Sequence, residues 1–298
     1  MDKLTSILVG IDFTPCSMAA LKQAMLIAAP NNASLRAVHV IDTLVVVDLQ
    51  EALSEFQKDI QSGLINDAQR AWEKLEPEFP GKKGVALEVA IGSPAHAVLE
   101  LVKKGRIDLL VLGVHGSGSA SDGAGELAAA CVRRSPSKVL LVREPHEGPF
   151  KKIVVGVDFS DTSFRALETA AQLAVQYGSE VLVAHVFQPP WRTLHYFAPT
   201  AETSADFQKQ YRDGLSRRLE AFCARLGPAS EKIKLTSTLV EHTSDGRGIS
   251  DFAKKHAADL LIIGTQGRTN LGDVLLGSTA ERVLKQAPCS ILTVRAKA

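Results

Sequence analysis

The chain has 298 residues, more than one domain of roughly 100–200 residues usually takes, so its length favours two domains. With 45% hydrophobic and 22% charged residues it can build a folded core, which excludes disorder, a collagen helix or a coiled coil over the whole chain. A net charge of +1 gives no support to a nucleic-acid binder or to attraction by an acidic membrane, so neither partner is expected.

No stretch approaches the ~18 consecutive apolar residues of a membrane helix, and residues 1–4 lead into a strand-like run without a secretory signal. These two features predict a soluble, cytoplasmic protein. The four cysteines are far apart and include no C-x-x-C pair, so we expect buried, unreactive thiols and neither zinc nor disulfides.

The chain is an internal repeat. The run ILVGIDFT at residues 7–14 returns as IVVGVDFS at 153–160, and AVHV at 37–40 returns as VAHV at 183–186, both at an offset of 146. DLLVLG at 108–113 matches DLLIIG at 259–264, at an offset of 151. The repeat predicts two copies of one domain, at 1–147 and 148–298, joined by a linker rich in proline and charge.

Within each copy, short apolar runs alternate with helical patterns. The runs are apolar on both faces, as in strands of a buried parallel sheet. Between two of them, residues 163–177 form a helical pattern that places Phe164, Leu167, Ala174 and Val175 on one apolar face, with Gly178 as the C-cap. This alternation predicts an α/β fold with two tandem, doubly wound parallel sheets, whose sites lie beyond the carboxyl ends of the strands.

The charges divide unevenly between the copies. Residues 1–148 carry 15 Lys and Arg against 18 Asp and Glu, a net −3, and residues 149–298 carry 19 against 15, a net +4. The second copy is therefore the better candidate for binding an anion.

A glycine-rich segment follows the strand that ends at Ile263. Gly264 and Gly267 come directly after this strand, and Gly277-Ser278-Thr279 precedes a helical pattern. Unpaired N–H groups at a helix start suit phosphate, and Arg268 could add a cation. The alternative is that the glycines only turn the chain and Ser278 is an ordinary N-cap. Neither a Walker loop nor a dinucleotide fingerprint fits, because Ser278 and Ser121 replace the required lysine and glycine.

The spacing Gly264-x2-Gly267-x9-Gly277-Ser278 resembles the signature of ATP-binding universal stress proteins. The Val-Gly-Val-Asp-Phe-Ser opening and the His-Val pair resemble that family too, and the likeness covers nearly the whole chain twice. The resemblance implies a tandem universal stress protein with a Rossmann-like, adenine nucleotide alpha hydrolase-like fold in each copy.

The resemblance also assigns site residues to the second copy, with ATP as ligand, with or without Mg²⁺. Gly156, Val157 and Asp158 would contact adenine or ribose, and Val186 would bracket the adenine. Ile263 and Gly264 would line the nucleoside. The phosphates would be bound by Gly267, Gly277, Ser278 and Thr279. Arg268, the cation proposed from the residues themselves, is the remaining predicted site residue. From the residues alone, Asp158 is equally well read as a helix N-cap or first-turn acid. The eight histidines show no metal-ligand spacing, and no metal site is expected.

The first copy departs from this signature. Gly113 and Gly116 are kept, but Gly125 follows after eight residues instead of nine, and Glu126-Leu127 replaces Ser278-Thr279. A carboxylate repels phosphate, so we expect the first copy to be degenerate and only the second to bind ATP.

Three functions stay open at this point. The first is a nucleotide-dependent stress-response or regulatory protein, the second a slow ATPase or phosphotransferase, and the third an interaction scaffold without nucleotide. No catalytic residue is assigned, because phosphoryl transfer needs a metal clamp and a positioned base. The resemblance further implies that Val139–Val142 and Ile291–Val294 pair the two domains as an intramolecular pseudo-dimer, and a homodimer is left open.

Overall fold

The computed structural model describes residues 4–53, 59–75, 79, 84–116, 123–192, 204–267 and 276–295. The chain divides into two compact units, Met1–Pro149 and Phe150–Ala298. The division falls two residues after the predicted boundary. Each unit alternates strands with helices around a parallel sheet, which confirms the predicted α/β, doubly wound fold.

The first unit contains five strands and five helices among its described residues. The strands are β1 (Ser6–Gly10), β2 (Ser34–Asp42), β3 (Leu87–Gly92), β4 (Leu109–Gly113) and β5 (Lys138–Val142). The helices are α1 (Pro15–Asn31), α2 (Thr43–Ala52), α3 (Ile60–Lys74), α4 (Pro94–Lys104) and α5 (Glu126–Arg134).

The second unit follows the same plan. Its strands are β6 (Lys152–Gly156), β7 (Glu180–Phe187), β8 (Lys234–Glu241), β9 (Leu260–Gly264) and β10 (Ser290–Val294). Its α-helices are α6 (Asp161–Tyr177), α7 (Ala205–Ala224), α8 (Asp245–Lys255) and α9 (Ser278–Gln286), with 3₁₀ helices at Pro190–Arg192 and Gly227–Lys232.

Strand order is the same in both units. The first unit has the order β3-β2-β1-β4-β5 and the second the order β8-β7-β6-β9-β10, and all the neighbouring pairs are parallel. The chain winds outward from β6 through β7 to β8 and then returns to the other side of β6 as β9. Such a reversal opens a crevice beyond the carboxyl ends of the two central strands.

The predicted helix over 163–177 is α6, which begins two residues earlier. Ser160 is its N-cap and accepts a hydrogen bond from Ser163 N, and Gly178 ends it with φ 66° as predicted. The assignment of Val175 to the buried face is wrong, because its side chain is 54% exposed. At 100° per residue, Val175 lies beyond the edge of the stripe centred on the buried Ala170 and Ala174.

The predicted burial of the thiols is confirmed, since all four cysteines are free and buried. Burial raises the pKa of the Cys131 thiol to about 12 and that of Cys223 to about 11. Because the thiolate is the reactive form, both side chains stay protonated and inert near neutral pH. Within the described parts of the chain, none of the helices has the length and apolar character needed to cross a membrane.

An aspartate before the fourth strand of each unit holds the start of the first strand. Asp259 Oδ2 accepts from the backbone N–H groups of Lys151 (2.8 Å) and Lys152 (2.9 Å). Asp108 Oδ2 does the same for Thr5 and Ser6, at 2.7 and 3.0 Å. These bonds tie the central strands of each sheet together at their amino ends.

We predict that Asp259→Ala destabilises the second unit by about 2 kcal/mol, because it removes a charged acceptor from two backbone donors. Urea unfolding followed by Trp191 emission in a Trp72→Phe background reports on the second unit, since the chain has one tryptophan in each unit. Asp213→Ala, at an exposed position of α7, is the control and should change the stability by less than about 0.5 kcal/mol. Equal effects of the two variants would contradict the role of Asp259.

Candidate functional site

A cavity of about 410 Å³ lies beyond the carboxyl ends of β6, β7 and β9 in the second unit. The structure brings ten of the eleven predicted site residues to its lining: Gly156, Val157, Asp158, Val186, Ile263, Gly264, Gly267, Gly277, Ser278 and Thr279. The eleventh, Arg268, lies outside the described residues. Residues more than 100 positions apart in the sequence thus meet in one crevice.

Asp158 follows β6 and organises the turn into α6. Its Oδ1 accepts from Ser160 N (3.0 Å) and from Ser160 Oγ (2.5 Å). Because Ser160 is the N-cap of α6, the interpretation of Asp158 as an N-cap or first-turn acid is wrong. Asp158 precedes the cap by two residues, and it lines the cavity.

A strained residue after Asp158 is held by aromatic packing. Phe159 has φ 66°, a left-handed conformation that bulky residues seldom adopt. Its ring lies 4.3 Å from the ring of His185 and 5.6 Å from that of Phe222, and the Arg218 guanidinium lies 4.2 Å from its centroid. His185 Nδ1 is also 2.8 Å from the carbonyl oxygen of Val157. The turn that carries Asp158 is therefore fixed by β7 and α7 as well as by its own hydrogen bonds.

The glycines at the end of β9 and after it are required by close approach of neighbouring atoms. A Cβ atom on Gly267 would lie 2.6 Å from Asp158 Oδ2, and one on Gly264 would lie 2.9 Å from Thr162 Cγ2. Gly277 N donates to Thr265 O at 2.8 Å, which brings the start of α9 beside the end of β9. Gly277 has φ −61°, so no left-handed turn requires this glycine, but a Cβ atom there would lie 3.3 Å from Thr265 O.

The N-terminus of α9 faces the cavity. The N-cap is Gly277, whose missing side chain cannot accept a hydrogen bond, so the interpretation of Ser278 as N-cap is wrong. Ser278 and Thr279 are the first two residues of the helix and line the cavity. The first N–H groups of the helix thus have no side-chain cap, and together with the two hydroxyl groups they can bind an anion.

Half of the residues that line the cavity were not predicted from the sequence. The additional residues are Ser163, Ala184, His185, Phe187, Gln188, Tyr211, Asp245, Ile249, Gln266 and Ala280. His185 lies in a repeated run and Gln266 lies between two predicted glycines. These patterns could have indicated that both residues belong to the site. Tyr211 comes from the middle of α7 and Asp245 and Ile249 from the start of α8. No local pattern marks these three, because helix packing brings them to the site.

The first unit repeats the backbone geometry of the second. Asp12 Oδ1 accepts from Thr14 N (3.0 Å), Phe13 has φ 61°, and Gly125 N donates to Val114 O (2.9 Å). At the start of α5, however, Glu126 is the first helical residue and is exposed. The two units therefore share a scaffold but present opposite chemistry at the equivalent helix start. Within the described ranges, no cluster of three or more His, Cys, Asp or Glu residues is arranged to hold a metal ion.

The model of the universal stress protein family matches residues 3–143 and 149–295. The chain therefore belongs to the universal stress protein family and carries two copies of its domain. This membership places it among stress-response proteins and confirms the resemblance seen in the sequence.

Related proteins match either about half of the chain, the length of one domain, or nearly the whole chain with both domains. The chain is 31% identical over 150 residues to a universal stress protein of Methanocaldococcus jannaschii, covering 50% of this chain and 84% of the relative. It is 24% identical over 322 residues to one of Mycobacterium tuberculosis, covering 97% and 94%. The fold resembles that of an Archaeoglobus fulgidus universal stress protein, with a TM-score of 0.64, 18% identity and 99% coverage of both chains.

We predict that Asp158→Ala destabilises the second unit by at least about 1 kcal/mol, because Ser160 loses its acceptor, whereas Asp158→Asn keeps that acceptor and costs less than half as much. Urea unfolding followed by Trp191 emission measures both. Asp12→Ala should produce a similar loss in the first unit, reported by Trp72. An Asn variant as unstable as the Ala variant would contradict the role of the Oδ1 hydrogen bonds.

Proposed function

We propose that the second unit binds an adenine nucleotide, ATP with or without Mg²⁺, and that the protein is a nucleotide-dependent regulatory protein of the stress response. The observation that carries the proposal is that a strand-end carboxylate, closely packed glycines and an uncapped helix start meet in one cavity. The cytoplasmic location expected from the sequence belongs to the same proposal, since ATP is supplied there.

The lining changes in character across the cavity. Val186, Ile249 and Ile263 offer apolar surface that suits the faces of a purine base. Asp158 can accept from ribose hydroxyl groups, as carboxylates at strand ends do in dinucleotide folds. Ser278 and Thr279 at the start of α9 suit the phosphates. Apolar, acceptor and donor surfaces in this combination match the three parts of a nucleotide.

We favour nucleotide binding over rapid hydrolysis of ATP or transfer of its phosphate. Phosphoryl transfer needs a metal clamp and a group that positions the attacking oxygen. Asp158 lies beside Gly267 in the cavity lining, and its Oδ1 already accepts two hydrogen bonds from Ser160. A bound nucleotide that stabilises one form of the protein for a partner requires no such chemistry.

We predict about one ATP site per chain, and we predict that copying the helix start of the first unit into α9 weakens ATP binding there. Ser278→Glu together with Thr279→Leu copies Glu126-Leu127 of the first unit into α9. The new carboxylate repels phosphate but favours the helix start electrostatically, so the variant should fold. Isothermal titration calorimetry should show at least a roughly tenfold higher Kd for ATP.

The matched control is the reverse exchange, Glu126→Ser with Leu127→Thr in α5. It should leave the second site unchanged, with the same Kd as the wild type at that site. A stoichiometry near two for the wild type, or ATP binding that survives the change in α9 undiminished, would refute the proposal.

A further inference from the structure

The start of α8 contacts residues at both ends of the cavity. Asp245 and Ile249 line the cavity directly, and Ile249 packs under Gly156. Between them lie Gly246 and Gly248, both buried. Glycine is an unfavourable residue within a helix, so two glycines in one turn need a reason.

Gly246 lies against α9. A Cβ atom there would come within 2.5 Å of Arg282 Cβ and 3.0 Å of the carbonyl oxygen of Thr279. Both atoms belong to or adjoin the helix backbone, so an added methyl group could be accommodated only by moving one helix away from the other. Thr279 is part of the helix start that faces the cavity. The position of that helix start therefore depends on the absence of a side chain at Gly246.

Gly248 lies against the opposite end of the site. A Cβ atom there would come within 2.8 Å of Val186 Cγ1 and 2.8 Å of His242 Cβ. Val186 is β-branched and stiff about χ1, so it cannot turn aside easily. The position of the side chain proposed to bracket the base thus depends on Gly248.

The first unit lacks this arrangement. At the offset of 151 that aligns α4 with α8, Ala95 and Ala97 stand where the second unit has Gly246 and Gly248. The same pair of helices packs together in each unit, but only the second has glycines at these contacts. Gly246 and Gly248 therefore occur in the same unit as the helix start that suits an anion.

We propose that α8 is a spacer that sets the distance between the base end and the phosphate end of the nucleotide site. Gly246 is the positioning residue for the start of α9, and Gly248 is the positioning residue for Val186. This inference rests on the proposed nucleotide binding and adds the residues that determine how much of the ligand is held.

The test compares ATP with adenosine, which lacks the phosphates, by calorimetric titration of the full chain. Gly246→Ala should raise the Kd for ATP roughly tenfold and that for adenosine less than about twofold, because only the phosphate end moves. Gly248→Ala should raise both values by the same factor. Gly214→Ala is the matched control, since a Cβ atom at this position of α7 meets nothing within 4 Å, and it should change neither.

Two further measurements separate positioning from a general loss of stability. Adding Arg282→Gly to Gly246→Ala removes the first atom that the new methyl group meets, and it should restore part of the affinity for ATP. Without ligand, amide exchange at Glu281, whose N–H donates to Gly277 O at 3.0 Å, should be faster in Gly246→Ala than in the wild type.

The outcomes are distinct. A wild-type protein that binds neither ATP nor adenosine refutes the proposed function, and the spacer role with it. Wild-type binding with equal losses for the two ligands in Gly246→Ala, with no rescue and unchanged exchange at Glu281, refutes the spacer role alone. Adenosine affinity unchanged in Gly248→Ala overturns the assignment of that residue.

Discussion

The candidate site depends on the parallel pairing of β6 with β9 at the centre of the second unit's sheet. The register that pairs Val155 with Ile262 brings the carboxyl ends of the two strands to one edge. From that edge the chain enters α6 after one strand and the glycine segment after the other. Because the winding reverses between these strands, no crossover helix fills the gap, and the crevice stays open to a ligand. The turn with Asp158 and the start of α9 occupy its two sides.

The turn beside this crevice is held in the same way in both units, although the residues at the neighbouring helix start differ. Both units hold the turn after the first strand with the same carboxylate bonds, a left-handed phenylalanine and a histidine against the preceding carbonyl group. These features position backbone and are independent of any ligand. The difference lies at the start of the last α-helix of each unit, which carries Glu126 in α5 and Ser278 in α9. A glutamate in place of the serine at this helix start therefore need not disturb the fold.

The repeat, the strands and the strand-end residues could be predicted because they depend on local apolar runs and on the rule that parallel strands end at one edge. Details that depend on how side chains and helices pack could not be predicted from the sequence. Gly277 rather than Ser278 caps α9, and Val175 lies beyond the buried stripe of α6. Tyr211 and Asp245 line the cavity, but they lie on helices whose packing against the site cannot be predicted from residue spacing. Arg268 lies outside the described residues, so its assigned role stays a prediction.

The most direct test of nucleotide binding at the second site is amide hydrogen exchange of the whole chain with and without saturating ATP. We predict slower exchange at residues 156–158, 264–267 and 278–281, which line the cavity, adjoin its lining or begin α9. We predict no change at the equivalent residues 10–12, 113–116 and 126–129 of the first unit. Slower exchange confined to the first unit, or equal in both, would contradict the claim that nucleotide binds only at the second site.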